Sequence, residues 1–336
     1  MADANLYISP KVILLLYVDD ILITAANNEE IDRIKGLLHD KYKMTDTGLA
    51  RQFLGIDILQ SDTGITIHQR RFIDSVLRRF GMEGCNGAWV PLETRPSVTF
   101  DPLPAADQQT FQSLIGSIMY IMLGTRPDLA YTISALSKFS ASAGHEHLQQ
   151  AKRVLRYLQQ SRSVGLAFVQ NDDKELLGYS DSDWAGDVGD RKSTGGFLFL
   201  LSGAPICWKA KKQTIVALST TDAEYVAASE ACREAVWLRR LIKDLCAASQ
   251  APALSPTPTL IYTDSTGCLA QIDNARHHER TKHVDIKYHY TRDVCEQGLV
   301  RFQHCTTLDM AADFLTKPLT RELHWKHFPK IGLVWL

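Results

Sequence analysis

The sequence predicts a mixed α/β protein, and three observations carry that prediction. Short runs rich in Leu and β-branched residues recur along the chain. Apolar residues spaced three and four apart mark helices between residues 108 and 160 and again between 224 and 245. From residue 173 onward the signals alternate as three strands, helix, strand, helix, strand, helix. With 336 residues, the chain is long enough for two to three domains of ~100–200 residues each. It is 45% hydrophobic and 22% charged, an ordinary globular composition. The 37 basic and 38 acidic residues leave a net charge of -1, so any binding of nucleic acid has to come from local patches and metal ions.

The 7 cysteines form no Cys-x-x-Cys, which favours reduced thiols, an intracellular setting (cytoplasmic or nuclear) and no zinc site. The opening Met1-Ala-Asp-Ala-Asn5 does not read as a secretory signal. Val12 to Ile23 is apolar but holds Asp19 and Asp20 and is too short to span a bilayer, so no membrane partner is expected.

Residues 1 to 100 begin with a hairpin. Val12-Ile-Leu-Leu-Leu-Tyr-Val-Asp-Asp-Ile-Leu-Ile-Thr24 is two strand-like runs around an acidic turn. Two adjacent carboxylates there could hold a divalent cation, or simply make the turn. Asn28 to Tyr42 follows as an amphipathic helix with Ile31, Ile34, Leu37 and Leu38 on one face. Strand signals at 53–58 and 65–69 and a helix signal at 72–77 complete this part. Pro91 to Pro104 reads as a linker.

The middle part is helical. Phe111, Leu114, Ile115, Ile118 and Met119 sit at helical spacing within 108–123. A second helix starts near Thr125, with Pro127 suited to its first turn and Asp128 to its dipole. In His147 to Gln160, Ala151, Val154, Leu155 and Leu158 face inward. Lys152, Arg153 and Arg156 face outward, as a solvated surface or as phosphate contacts.

In the last part the acids stand in unusual places. Gly178-Tyr-Ser-Asp-Ser-Asp-Trp-Ala-Gly-Asp187 puts Asp181 and Asp183 on one face if the segment is a strand. Asp is disfavoured in strands, and a turn is the alternative. Thr194 to Leu201 and Ile206 to Trp208 read as the second and third strands. Ser219 or Thr220 can cap a long helix in which Glu224 heads the stripe Ala227, Ala228, Ala231, Ala235, Leu238, Ile242 and Leu245. Ala247 to Pro258 reads as a loop. Thr259 to Asp264 is a strand ending in an acid, which is either a ligand position or an N-cap. His277 to Lys282 is a basic loop, Val284 to Gln297 a helix, Leu299 to His304 a strand, and Met310 to Lys317 a helical segment carrying Asp313.

Several long phrases resemble the C-terminal part of the Pol polyprotein of copia-type LTR retrotransposons. Tyr17-Val-Asp-Asp20 between two strands resembles the catalytic hairpin of reverse transcriptases, and the elements after it resemble their palm and thumb. Ile115-Gly-Ser-Ile-Met-Tyr120, Thr125-Arg-Pro-Asp-Leu-Ala130 and Ala151-Lys-Arg-Val-Leu-Arg-Tyr-Leu158 resemble the connecting region. Gly178 to Ala185, Asp190-Arg-Lys-Ser-Thr194, Leu218-Ser-Thr-Thr-Asp-Ala-Glu-Tyr225, Arg280-Thr-Lys-His-Val-Asp285 and Ala312-Asp-Phe-Leu-Thr-Lys317 resemble copia-type ribonuclease H. The resemblance runs from about residue 11 to 333. Departures are small: Gly195 stands where Ser is usual, Thr220-Thr-Asp222 replaces Ser-Thr-Glu, and Ser265-Thr-Gly267 lacks the usual Asn.

The resemblance implies a partial reverse-transcriptase palm and thumb at 1–100, a helical connection at 101–172 and a ribonuclease H-like domain at 173–336, built on a five-stranded mixed sheet with flanking helices. It implies Asp181, Glu224, Asp264 and Asp313 as the metal-holding acids, with Asp183 and Asp285 as rivals to the first and last. Two Mg2+ ions, with Mn2+ as the substitute, would cleave the RNA strand of an RNA–DNA hybrid. Arg276, Arg280, Lys282 and His283 would grip the backbone, with Lys209, Lys211 and Lys212 as a second patch, and the 2′-hydroxyl would distinguish RNA from DNA. The spacing of His277, His278, His283 and His289 fits no common zinc pattern.

Reverse transcriptases carry a further metal-binding Asp on an earlier strand. The 16 residues before Tyr17 hold no such strand, so the polymerase half reads as truncated and inactive alone. The missing reverse-transcriptase portion and other Pol products are then the implied protein partners. The competing readings are a catalytically silent remnant and a nucleic-acid-binding module, and the intact acids favour a nuclease over the latter.

Overall fold

The computed structural model describes residues 3–169, 175–249, 257–273 and 285–336. It begins with a three-stranded antiparallel sheet of order β1-β2-β3, comprising β1 (Leu6–Ile8), β2 (Val12–Tyr17) and β3 (Asp20–Ala25). Tyr17 pairs with Asp20, which leaves Val18 and Asp19 as a two-residue turn, with Val18 at φ 54. Helix α1 (Asn28–His39) is capped by Asn27, whose side chain accepts from the Glu30 N–H. None of its side chains is buried.

β4 (Gln52–Phe53), β5 (Ile56–Ser61) and β6 (Gly64–His68) form a meander, followed by α2 (Arg70–Arg79). The Pro-rich stretch after it carries no helix or strand, and its β-type pairing is an isolated bridge from Pro102 to Gly144. Then come α3 (Ala105–Gly124), a 3-10 turn (Pro127–Leu129), α4 (Ala130–Ser137) and α5 (His145–Gln160). The apolar stripes read from the sequence meet in one core: Phe111, Leu114, Ile115 and Ile118 of α3 pack with Ile73 and Leu77 of α2 and Val154, Leu155 and Leu158 of α5. Asp128, placed by the sequence beside a helix dipole, instead forms a fully buried two-point pair with Arg126 at 2.9 and 2.6 Å.

β7 (Val164–Val169) joins β6. The chain then builds a second five-stranded sheet from β8 (Leu176–Asp183), β9 (Thr194–Leu201), β10 (Ala204–Lys212), β11 (Thr259–Thr263) and β12 (Val300–His304), in the order β10-β9-β8-β11-β12. The first three strands are antiparallel, and β11 runs parallel to both β8 and β12. This is the five-stranded mixed sheet that the sequence predicts.

The long α6 (Thr220–Ser249) crosses β8 and β9, and α7 (Thr266–Asp273) and α8 (Asp285–Glu296) pack beside it. Ala231, Ala235, Leu238 and Ile242 of α6 meet Phe197, Phe199 and Ile261 of the sheet. Small side chains on the helix let it lie close to the sheet.

The opposite face is covered by α4 and by the segment around Asp313, which is a 3-10 turn (Ala311–Leu315) rather than an α-helix. Gly196 permits that approach, because a Cβ there would stand 2.5 Å from Leu315 Cβ. Helix α9 (Arg321–His327) follows, and β13 (Leu333–Trp335) pairs with β7, giving the sheet order β13-β7-β6-β5-β4. From α9, His324 Nε2 lies 2.8 Å from the Tyr157 hydroxyl, which donates to Asp128 at 2.6 Å. No helix among the described residues is long and apolar enough to cross a membrane.

Candidate metal centre

The acids converge where β8 and β11 end. Asp181 and Asp183 lie on strand β8, as the strand reading requires, and Asp181 is buried. Asp264 follows the last residue of β11 and is half-buried. It does not cap the next helix, because the Ser265 hydroxyl accepts the Cys268 N–H in that role. Glu224 sits one turn into α6, where Ser219 accepts the Asp222 N–H and fixes the start of the helix. Oxygens of Asp181, Glu224 and Asp264 all lie within 4.8 Å of one another, and no other such trio of ligating side chains occurs among the described residues.

Asp313 stands outside that trio. It comes from the 3-10 turn on the other face of the sheet, meets Asp181, and has Lys317 Nζ 2.7 Å from its Oδ1. Its rival Asp285 opens α8, and that side chain lies outside the described residues.

Neighbouring hydroxyls orient the acids. Glu224 Oε1 accepts from the Ser182 N–H at 3.1 Å and from the Ser182 hydroxyl at 2.9 Å. Asp264 accepts from the Thr307 hydroxyl at 2.8 Å. Asp181 accepts from the Thr316 hydroxyl. Glu224 Oε2 is buried and has no hydrogen-bond partner among the described residues. A buried carboxylate oxygen without a donor is costly unless a cation or a proton meets it.

Burial raises the pKa of Asp181, with Lys317 and the Thr316 hydroxyl pulling against it and Asp264 adding to it. Burial, then the charge of Asp181, holds Glu224 well above the usual glutamate value. The same two causes push Asp313 up to about 7. Burial opposes the charge on Lys317, but Asp181 and Asp313 outweigh it and keep the ammonium above the ordinary lysine value. The all-oxygen donor set, its close spacing and the unpartnered Glu224 oxygen together suit a hard divalent cation.

The remaining predicted positions are dispersed. Asp19 and Asp20 are exposed on the β2–β3 hairpin, and no third ligating side chain joins them among the described residues. Arg276, Arg280, Lys282 and His283 lie outside the described residues, as do His277 and His278. Lys209 and Lys211 share one face of β10, where Lys209 reaches Glu230 at 3.6 Å, and Lys211 is exposed. Lys212 points to the other face and pairs with Asp187 and Asp190 at 2.9 and 2.8 Å. Asp183 is held by Arg95, at 2.5 Å, from the Pro-rich stretch.

The sequence reading did not single out Ser182, Thr307, Thr316, Lys317 or Arg95. Lys317 had a visible signal, since it lies four residues after Asp313. The others depend on contacts across the fold that no local pattern encodes.

Comparison with known proteins gives the following similarities. The profile of the family Reverse transcriptase (RNA-dependent DNA polymerase) matches residues 4–94. The Retrovirus-related Pol polyprotein from transposon TNT 1-94 of Nicotiana tabacum is 36% identical over 319 residues, 92% of this chain and 23% of that protein. A putative transposon Ty5-1 protein of Saccharomyces cerevisiae is 33% identical over 236 residues, 69% of this chain and 75% of that protein. The crystal structure of LC11-RNase H1 in complex with RNA/DNA hybrid aligns at a TM-score of 0.32 and 14% identity, covering 42% of this chain and 94% of that one. The chain thus spans about a quarter of the length of the Pol polyprotein it matches.

Proposed function

The chain belongs to the family of copia-type retrotransposon Pol proteins, and from that premise we propose that residues 173–336 are its ribonuclease H portion, hydrolysing the RNA strand of RNA–DNA hybrids. The observation that carries this reading is the gathering of Asp181, Glu224 and Asp264 within 4.8 Å, with one Glu224 oxygen buried and unpartnered. Residues 1–100 are then part of a reverse-transcriptase palm and thumb, and residues 101–172 are the helical connection.

In this reading Asp181, Glu224, Asp264 and Asp313 hold two Mg2+ ions, with Mn2+ as the substitute. Such ions, when bound, supply charge stabilisation and an activated water for in-line attack on a phosphodiester. The protein's own residues do the positioning. Ser182 fixes one Glu224 oxygen and leaves the other free to bind. Thr307 turns Asp264 toward the cluster, and Thr316 holds Asp181. Because burial raises the pKa of three of these acids, cation binding and proton release are coupled.

Polymerisation at Asp19 and Asp20 calls for a further carboxylate that the described residues do not bring there. The test is cleavage of a labelled RNA–DNA hybrid with Mg2+, comparing the unmodified chain with Asp181→Asn and Glu224→Gln. Metal-dependent cutting that both substitutions abolish supports the assignment. A folded chain that binds the hybrid without cutting it supports a binding module instead.

A further inference from the structure

Among the described residues, Lys317 reaches the acid cluster from the segment that carries Asp313. It lies four residues beyond Asp313, a spacing that ordinarily makes a weak surface pair. Here the acid is buried, and the lysine stem runs inward so that Nζ stops 2.7 Å from Asp313 Oδ1. The ammonium also acts electrostatically on Asp181, Asp183 and Asp264. A second cation, Arg95, touches the rim of the same region, where it pairs with Asp183 at 2.5 Å, outside the trio, and also meets Tyr131.

We propose that Lys317 is a built-in competitor for the Asp313 side of the cluster, so that the weaker of two divalent ions binds only by displacing its ammonium. The proposal rests on the reading that these acids hold metal. Its physical basis is charge. When ionised, the four carboxylates gather four negative charges in a small volume, and such a cluster is costly to keep empty. Lys317 offsets part of that charge in the metal-free protein. The same contact then stands in the way of an ion that needs Asp313 Oδ1. Both Glu224 Oε2 and Asp313 Oδ1 are buried without a well-directed hydrogen bond, but only Asp313 Oδ1 has an ammonium beside it among the described residues, Lys317 Nζ at 2.7 Å. One ion therefore meets an open oxygen and the other a position that a cation already neutralises.

The experiment is isothermal titration calorimetry of Mn2+ into the full chain, comparing the unmodified protein with Lys317→Met, Lys317→Arg, Arg95→Gln and Asp181→Asn. Lys317→Met should tighten the weaker Mn2+ site by about tenfold, the scale expected from removing one nearby competing charge. Lys317→Arg keeps the charge and should bind Mn2+ like the unmodified chain. Arg95→Gln removes an equal charge from the rim and should change the affinity by about twofold or less. In chelator, Lys317→Met should melt at a lower temperature than the unmodified chain, and added Mn2+ should restore more of its stability.

Unchanged or weakened Mn2+ binding in Lys317→Met overturns the proposal, as does an Arg95→Gln effect of the same size. Failure of the underlying metal reading looks different: Asp181→Asn then binds Mn2+ as well as the unmodified chain does.

Discussion

Asp19 and Asp20, on the β2–β3 hairpin, and the acids at the ends of β8 and β11 stand in opposite surroundings. The hairpin pair is exposed, on a sheet in which only Leu6 and Val12 are buried, beside a helix with no buried side chain. Asp181, Glu224 and Asp313 are buried, and they arrive from a central strand, a long helix on one face and a 3-10 turn on the other. The difference shows what turns carboxylates into a site. Sequence adjacency gives two acids the same location. Packing on both faces of a sheet removes water from them, raises their pKa values and leaves at least one oxygen in want of a cation.

The largest test of that contrast is catalytic. Glu224→Gln or Asp181→Asn should lower hybrid cleavage by roughly a thousandfold, on the scale of losing a preorganised electrostatic group. Asp19→Asn with Asp20→Asn should leave it within about twofold, because the hairpin contributes nothing to the cluster. Equal losses from both pairs would erase the distinction.

Packing should separate the two regions next. Phe199 is fully buried between α6 and the sheet, so Phe199→Ala should cost about 3–5 kcal/mol in urea unfolding. Leu37 of α1 is 49% exposed, and Leu37→Ala should stay within about 0.5 kcal/mol. Gly196→Ala should cost about 1–3 kcal/mol, because the new methyl meets Leu315 Cβ and forces the Asp313 segment away from the sheet. If Gly196→Ala binds Mn2+ unchanged, the close approach of that segment does not matter to the site.

The smallest effect is the pH dependence of the metal-free protein. Asp313 titrates near 7 when folded, above its ordinary value of 3.8. Between those values the folded state keeps a proton that the unfolded state has released. The contribution of Asp313 to stability therefore falls as pH rises from about 4 to about 7 and is constant above that range. Thermal melts in chelator should decline across that range, less steeply in Asp313→Asn, and added divalent ion should flatten the decline. A melting temperature that rises with pH through the window would contradict the burial of this acid.

The elements most legible in the sequence were those whose pattern is local. The stripe from Glu224 through Ile242 is α6, and the strand-by-strand order of the last part is the β10-β9-β8-β11-β12 sheet. Asp181, Glu224 and Asp264, which the fold brings together, each stood where a charge is unusual for its element, whereas Asp313 was named only through the resemblance to copia-type ribonuclease H. Three things were not legible. Asp128 looked like a dipole partner, since nothing local shows that Arg126 folds back onto it inside the core. The lysines of β10 looked like one patch, but adjacent strand residues point to opposite faces and Asp187 and Asp190 capture Lys212. The strands β7 and β13 gave little signal, because β13 has only three residues and the partners of both are remote in sequence.

The pairing of β13 with β7 also constrains when the protein can finish folding. Leu333 to Trp335 complete a sheet whose other strands begin at Gln52, so its β7 edge waits for residues synthesised far later. The α2–α5 core draws on residues 73–158 and can close earlier during translation. Until residue 335 has left the ribosome, β7 presents an unpaired edge, the kind of surface on which nascent chains aggregate or recruit chaperones.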